Sequence, residues 1–405
     1  MLSGFALLDH ILEHNAAEPA DLHQLLAVLR ELGNPQYNLR AVHIAGSNGK
    51  GSVCCKIAQS LELAGYRVGL FTSPHIHCYT ERIQICGELI SRNQVEEGLT
   101  KISEVAAFLG ITLNYFQYTT LLSVLYFKDR HVNVVVVETG IGGRLDATRV
   151  YDPILSVITS ISLEHTQLLG SSKELIGQEK AGICKKNIPL VLGPRACISS
   201  IFSIADNLKC PILLAPLADE SYDRENQQIA KVASEHLQEL FPNLTDYCIA
   251  KGVESRPSCR MEKVGSFIFD VAHNPDAFVR LFEGITSYLP EQKIVCMIGM
   301  SSDKDIQSCL SIAAKYCVHI VIVEAAGVRP ACRQRLADLL DAAGYFKYTV
   351  ADSIPDGIKK MQAYQDVIHL VCGSFYIMDE AKKALSIIYP FNPSSALSAA
   401  GAFSS

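Results

Sequence analysis

The 405-residue chain has no tryptophan, and only 19% of its residues are charged. Basic charge is scarce: Lys plus Arg number 36 against 42 Asp plus Glu, a net charge of −6. That mild acidity lacks the electrostatic footprint of a nucleic-acid reader, so no nucleic-acid partner is expected. The 14 cysteines include no CxxC pair and no Cys/His metal spacing. Cys54 and Cys55 are adjacent and most others sit in apolar runs, which reads as small buried thiols in a reducing cytoplasm. No secretory signal opens the chain; its first 22 residues are charged and read as a helix. One uncharged run, residues 105–127, is long enough to span a bilayer. It is broken by polar residues and by Gly110, so it reads as two soluble segments parted near Gly110–Asn114, and no membrane partner is expected.

Against these absences stands a 49% hydrophobic content, enough to bury a substantial core. Short β-branched runs alternate with helical stretches. Strands are predicted at 41–46, 67–71, 133–138, 154–161, 188–192, 266–271, 293–299, 318–324 and 366–373. Helices are predicted near 20–32, 52–64, 92–109, 118–129, 223–240, 275–288, 304–315, 330–343 and 375–388, with Pro19 and Gly33 bounding the first. Continuous apolar strands between helices indicate an α/β fold with parallel sheets covered on both faces. The Pro-, Gly- and Ser-containing stretch 241–262, which shows no long periodic segment, marks a boundary. The expected division is therefore 1–250, 251–388 and a loose tail, 389–405, carrying Pro390, Pro393 and several serines.

Four segments carry chemistry. His43-Ile44-Ala45-Gly46-Ser47-Asn48-Gly49-Lys50-Gly51-Ser52 leaves a predicted strand and opens a predicted helix. Glycines there let backbone N–H groups converge on phosphate, the helix dipole adds positive charge, Lys50 reaches terminal phosphates, and Ser52 is placed to reach Mg²⁺. It is not a standard Walker A sequence: Gly51 follows the lysine and Ile44 occupies the first glycine position. The bland alternative is a Gly-rich turn without a ligand. Second, Glu138 closes a run of valines and precedes Thr139-Gly140-Ile141-Gly142-Gly143-Arg144-Leu145-Asp146-Ala147-Thr148. An acid at the carboxyl end of a parallel strand beside a phosphate loop is placed to hold Mg²⁺, or is simply solvated there. The bland alternative for Arg144 and Asp146 is that they simply pair with each other. Third, Ser162-Leu163-Glu164-His165 follows another strand end, where a histidine is either structural or a ligand; Lys180, in Gln178-Glu179-Lys180-Ala181-Gly182, reads from its surroundings as an ordinary helix lysine. Fourth, Asp270-Val271-Ala272-His273-Asn274-Pro275 suits nucleotide or substrate binding, or is a helix cap with an exposed histidine.

Taken in order, these segments resemble the dihydrofolate synthase/folylpolyglutamate synthase family of the Mur ligase superfamily. The order is GSNGKGS, then Phe71-Thr72-Ser73-Pro74-His75 with Glu81-Arg82-Ile83, then ETGIGGRLDAT, SLEHTQLLG, EKAGI and FDVAHNP. Asp303-Lys304-Asp305, Arg329 and Gly373-Ser374 agree as well, so the resemblance spans about residues 15–385. It implies an N-terminal P-loop ATPase-like doubly wound domain and a C-terminal Rossmann-like α/β domain, with the active site in the cleft between them. It implies that Asn48, Gly49, Lys50, Gly51 and Ser52 cradle ATP, with Asn226, Arg260 and Asp270 as further nucleotide contacts. Ser73, Glu138, His165 and Lys180 would hold Mg²⁺, Lys180 as a carbamate, and a monovalent cation is allowed. Lys50, Lys180 and His273 would be catalytic, His273 near the incoming amino acid. Phe116, Gln117, Tyr118 and Thr119, with Leu145, Asp146 and Ala147, would contact the pteroate.

The activity implied is the ATP-dependent joining of L-glutamate to dihydropteroate or folate through an acyl phosphate, by a cytoplasmic monomer. The RLDAT and Asp-Val-Ala-His forms look most like bifunctional members. Polyglutamylation alone is the second reading, and a nucleotide-binding module without catalysis is the third. Several positions depart from the family pattern: Ser47 for Thr, Gln117 for Glu, Arg149 for Asn, Pro257-Ser258-Cys259-Arg260 for Pro-Gly-Arg, and Tyr222-Asp223 for His-Gln. The stretch from Ile188 to Asn226 is also short for the family.

Overall fold

The computed structural model describes residues 6–13, 21–218, 221–327 and 329–386. They fall into two units, residues up to 218 with 223–255, and residues 221–222 with 256–386. Pro19, the end of the predicted last helix and the predicted tail lie outside the described residues. No described helix is long and apolar enough to cross a membrane.

The first unit is built on strands β1 (Ala41–Ala45), β2 (Val68–Phe71), β3 (Ile83–Ile85), β4 (Glu88–Leu89), β5 (Val134–Glu138), β6 (Pro153–Ser160), β7 (Leu190–Arg195) and β8 (Ile212–Leu214). They form one sheet in the order β4-β3-β2-β5-β1-β6-β7-β8. Pairing is parallel from β2 across to β8, while β3 and β4 add antiparallel at one edge. Its helices are α1 (Ala6–Glu13), α2 (Leu22–Glu31), α3 (Lys50–Leu63), α4 (Arg92–Leu109), α5 (Tyr115–Asp129), α6 (Thr166–Leu169), α7 (Lys173–Ala181), α8 (Ser199–Asn207), α9 (Tyr222–Leu237) and α10 (Asp246–Gly252). Strand β5 shows why a valine run suits this sheet. Successive side chains point to opposite faces, and both faces are covered. Val134 and Val136 pack with Val53, Ile57 and Leu61 of α3 and Ile229 and Ala233 of α9; Val135 and Val137 pack with Val95, Leu99 and Ile102 of α4 and Leu121 of α5. Each fully buried valine contributes roughly 1.5 kcal/mol or more. The break foreseen in the run 105–127 is present: α4 ends on Gly110 in the left-handed region, and Asn114 caps α5.

The second unit carries β9 (Glu262–Val264), β10 (Phe267–Phe269), β11 (Lys293–Ile298), β12 (Cys317–Ile322), β13 (Tyr348–Val350) and β14 (Val367–Cys372) in the order β13-β12-β11-β14-β10-β9. All pairs are parallel except the antiparallel edge strand β9. Helices α11 (Pro275–Tyr288), α12 (Ile306–Tyr316), α13 (Arg333–Ala342), α14 (Ile354–Met361) and α15 (Met378–Ser386) complete it. Both sheets are thus of the doubly wound α/β kind.

The stretch 241–262 carries no long periodic segment; its seven-residue helix α10, capped by Thr245, lies so close to α3 that a Cβ on Gly252 would meet the Ser60 Cα at 2.4 Å. One reading needs correction. Arg144 and Asp146 do not pair. Arg144 bonds Glu179 at 2.9 Å, and Asp146 is buried and accepts from backbone amides.

Candidate active site

The loop after β1 is held from the end of β6. Ser47 N donates to the Ser160 carbonyl at 2.8 Å, Asn48 N to Ser160 Oγ at 3.0 Å, and Thr159 Oγ1 to the Asn48 carbonyl at 2.6 Å. Gly46 (φ +152°) is pressed onto Thr159, where a Cβ would lie 1.9 Å from Oγ1. Gly49 (φ +88°) is the N-cap of α3, leaves that helix without a side-chain cap, and has Asn226 of α9 against it; a Cβ there would meet Asn226 Oδ1 at 2.2 Å. The loop therefore offers a helix N-terminus and a glycine-lined surface, with Asn226 beside it, as an anion site requires.

Two lysines meet at this loop. Lys50 Nζ donates to the Gly46 carbonyl at 2.9 Å, and Lys180 Nζ, from α7, donates to the same carbonyl at 2.8 Å. Lys180 is not an ordinary helix lysine: it is 1% exposed and pairs with Glu164 at 2.7 Å. Burial, reinforced by Lys50, pulls Lys180 below the usual lysine range although Glu164 opposes this. Burial alone would raise Glu164, but Lys180, Lys50 and His165 outweigh it and hold the carboxyl at about 2. Glu164 was not singled out from sequence; its place beside His165 at a strand end was the only signal. His165 itself is the left-handed (φ +46°) N-cap of α6.

Glu138 ends β5, buried, and accepts from Ser73 N at 2.9 Å. Its Oε2 would lie 3.3 Å from a Cβ on Gly51, which explains glycine after the loop lysine. Ser52, one residue on, is buried. Among the described residues no three His, Cys, Asp or Glu side chains converge as a metal-binding group. Magnesium needs few protein donors because it keeps several waters. A single carboxylate lodged in a cradle that only glycine leaves open, with serines alongside, fits that ion.

The expected pteroate residues divide in two. Phe116, partly buried, lies 5.9 Å from Phe71 and over Gly140, where a Cβ would meet its ring at 2.6 Å. Tyr118 is partly buried and Leu145 is exposed. The others are committed internally. Gln117 forms a capping box with Asn114, their amide oxygens accepting from each other's backbone N–H at 2.7 and 2.9 Å. Thr119 Oγ1 donates to the Tyr115 carbonyl at 2.8 Å and accepts from Tyr79 OH at 3.1 Å. Ala147 is buried, and Asp146 accepts from Gly140, Ile141 and Thr148 N–H groups at 2.9–3.0 Å. Thr148 Oγ1 also donates to Asp146 and accepts from His43 Nε2 at 2.8 Å. These residues fix the wall and the loop that the exposed ones present.

In the second unit Asp270 follows β10. It is buried, accepts from Met261 N at 3.0 Å, Ala272 N at 2.9 Å and Tyr222 OH, and burial raises its carboxyl despite Arg260. Arg260 stacks 5.3 Å over Phe375, and His273 lies 5.8 Å from the same ring. Nδ1–H of His273 donates to the Val271 carbonyl at 2.9 Å, which places the lone pair of the neutral ring on Nε2. Cys259 and Met261, flanking Arg260, have φ of +57° and +49°. The left-handed Cys259 accounts for glycine being usual before that arginine. Asn274, not Asp270, caps α11.

A glycine-rich loop on which Lys50 and Lys180 converge, an acid on the neighbouring strand, and a second Rossmann-like unit with an Asp/His loop define a nucleotide-dependent ligase of the Mur type. Residues 259–375 match the Mur ligase, glutamate ligase domain family. The dihydrofolate synthase/folylpolyglutamate synthase of Escherichia coli (strain K12) is 32% identical over 360 residues, covering 82% of this chain and 83% of that protein. The solved structure of E. coli FolC in complex with DHPP and ADP superposes with a TM-score of 0.84 at 27% identity, over 95% of this chain and 98% of that one. The bifunctional folylpolyglutamate synthase/dihydrofolate synthase from Yersinia pestis, complexed with AMPPNP and Mn ion, has a TM-score of 0.84 at 29% identity, over 94% and 97%. The chain belongs to the dihydrofolate synthase/folylpolyglutamate synthase family of ATP-dependent acid–amino-acid ligases.

Proposed function

We propose that this chain joins L-glutamate to dihydropteroate and also adds glutamates to folates, each time at the expense of ATP. The observation that carries the reading is the convergence of Lys50 and Lys180 on the Gly46 carbonyl of an uncapped helix N-terminus, with Glu138 alongside Gly51. A carboxylate is a poor electrophile until phosphorylated. The first-turn amides of α3 and Lys50 bind the polyphosphate and stabilise charge on the transferring oxygens. Asn226 packs against Gly49 and takes the nucleotide side of the loop. Glu138, with Ser52, Ser73 and His165, would hold Mg²⁺, which screens phosphate charge when bound. Phe116, Tyr118 and Leu145 present the face for the pterin-bearing acid; Gln117, Thr119, Asp146 and Ala147 hold that face in place. In the second unit Arg260 and Asp270 serve the nucleotide, and His273 Nε2 accepts from the amino-acid side.

Carbamylation of Lys180 belongs to the same reading. Burial lowers the proton affinity of the amine, as attack on CO₂ requires, and the product would exchange the Glu164 ion pair for an anionic metal ligand. Carbon-13 NMR with labelled bicarbonate would show a carbamate signal that Lys180→Ala lacks. A monovalent cation beside the metal, a monomeric state and a cytoplasmic location complete the proposal, the last supported by cysteines that are all free among the described residues.

The deciding assay is purified protein with dihydropteroate, glutamate and MgATP: dihydrofolate and ADP should form together. Activity on tetrahydrofolate alone would favour the polyglutamylating reading, and absence of turnover with either acid would favour a module that only binds nucleotide.

A further inference from the structure

The stretch after β2 contains a cation that the proposed mechanism does not use. Arg82 is 8% exposed. Its Nε donates to His75 Nδ1 at 2.9 Å, and its guanidinium lies 5.3 Å over the Tyr115 ring. Its neighbour Glu81 is not its counter-ion. Both Glu81 oxygens are taken by backbone amides, Oε1 by His77 and Cys78 at 2.7 and 2.8 Å, and Oε2 by Ile76 at 2.8 Å. No carboxylate pairs with Arg82 among the described residues, and the N–H groups on its two terminal nitrogens have no protein acceptor there. A guanidinium this deeply buried without an anion is unfavourable until one arrives.

The surroundings indicate which anion. Thr72 N donates to the Arg82 carbonyl at 3.1 Å, and the next residue, Ser73, donates its N–H to Glu138. Tyr79 faces Tyr115 with ring centroids 6.0 Å apart, and Phe116, adjacent to Tyr115, touches Phe71 and Gly140. The fork thus opens within an aromatic wall, a short step along the chain from the residues placed at the phosphates. An acid brought to a polyphosphate meets a repulsive anion, and a cation on the acid's side lowers that cost.

We propose that Arg82 receives the carboxylate of the aromatic acid substrate, with His75 and Tyr115 as positioning residues that lock its fork. This rests on the ligase reading above but goes further, because it assigns the acid's anionic end to one side chain. The guanidinium supplies two parallel donors, a geometry that lysine does not reproduce.

A cycle combining ligand and protein changes tests it in the full chain with saturating MgADP. Binding of dihydropteroate is compared with binding of its analogue lacking the carboxylate, each followed by pterin fluorescence. In the native chain, loss of the carboxylate should weaken binding about 10- to 100-fold. In Arg82→Met the two ligands should bind within about 3-fold of each other. His75→Ala should reduce the discrimination, and His75→Asn, whose side-chain oxygen can accept from Nε, should restore it. If Arg82→Met does not fold, Arg82→Lys decides: reduced discrimination supports the assignment. Full discrimination in either arginine variant, or none in the native chain, overturns it. Should the native chain show no ligation at all, the ligase reading fails instead, and the two failures are told apart by that one control.

Discussion

Lys56 sits on α3, six residues past the loop lysine, and its side chain is completely buried. Its ammonium bonds Asp223 at 3.0 Å, the Val253 carbonyl at 2.8 Å and the Ser255 carbonyl at 2.7 Å. Asp223 and Ser255 are the points where the chain passes between its two units. Three charge-assisted hydrogen bonds at roughly 1.5–3 kcal/mol each would give a large gain, but desolvating the ammonium offsets several kcal/mol of it. Substituting Lys56→Met should therefore cost about 3–5 kcal/mol, because it removes the ammonium with which the nearly buried Asp223 carboxylate pairs. For a unit of this size that corresponds to a fall in Tm of roughly 6–20 °C. Lys56→Met/Asp223→Asn should recover a substantial part, since the stranded charge is gone. Differential scanning calorimetry on both variants measures this. A shift below about 2 °C, or a double variant no better than the single one, would refute the reasoning. Asn226 lies one turn beyond Asp223 on α9 and against Gly49, so the single variant should also raise KM for ATP.

Other expectations follow from the same geometry. Lys50→Ala should keep the native Tm yet lose at least about 100-fold in kcat, because Lys50 bonds loop carbonyls and not the core; steady-state kinetics beside calorimetry checks both halves. Gln117→Glu should fold and turn over normally, since either residue completes the capping box with Asn114, whereas Gln117→Leu should cost about 1 kcal/mol in a denaturant titration. His43 is held at about 3 by burial, with Lys185 and Arg149 adding to it, against an ordinary 6.5. The unfolded chain then binds the extra proton between those values, so stability falls as pH drops, by about 1.4 kcal/mol per unit from this group. His43→Gln should flatten that slope in denaturation curves taken between pH 6.5 and 5, and an unchanged slope would contradict the assignment.

The central strands could be read from the sequence because burial on both faces writes them as apolar runs. β3, β4, β8, β9 and β13 could not, being two or three residues long and partly exposed at or near sheet edges. α6, α8, α10 and α14 were missed for a similar reason: four to nine residues carry too little periodicity. At the site, glycine-rich and strand-end motifs announced themselves. What stayed hidden was which charges are buried. Lys180, Lys56 and Arg82 each look solvated one residue at a time, and their partners Glu164, Asp223 and His75 are supplied by folding. Lys56 did leave a trace, since Ser52, Lys56 and Ser60 are spaced four apart along the buried side of α3. Gln117 shows the converse: a side chain expected at the pteroate closes a capping box with Asn114, a bond that Gln or Glu can make.

Oxygen tracing tests the central claim most directly. Dihydropteroate labelled with oxygen-18 in its carboxylate, incubated with the chain, MgATP and L-glutamate, should deliver one labelled oxygen to inorganic phosphate for each amide formed, because activation passes that oxygen to phosphorus. Amide formation with unlabelled phosphate would contradict the account.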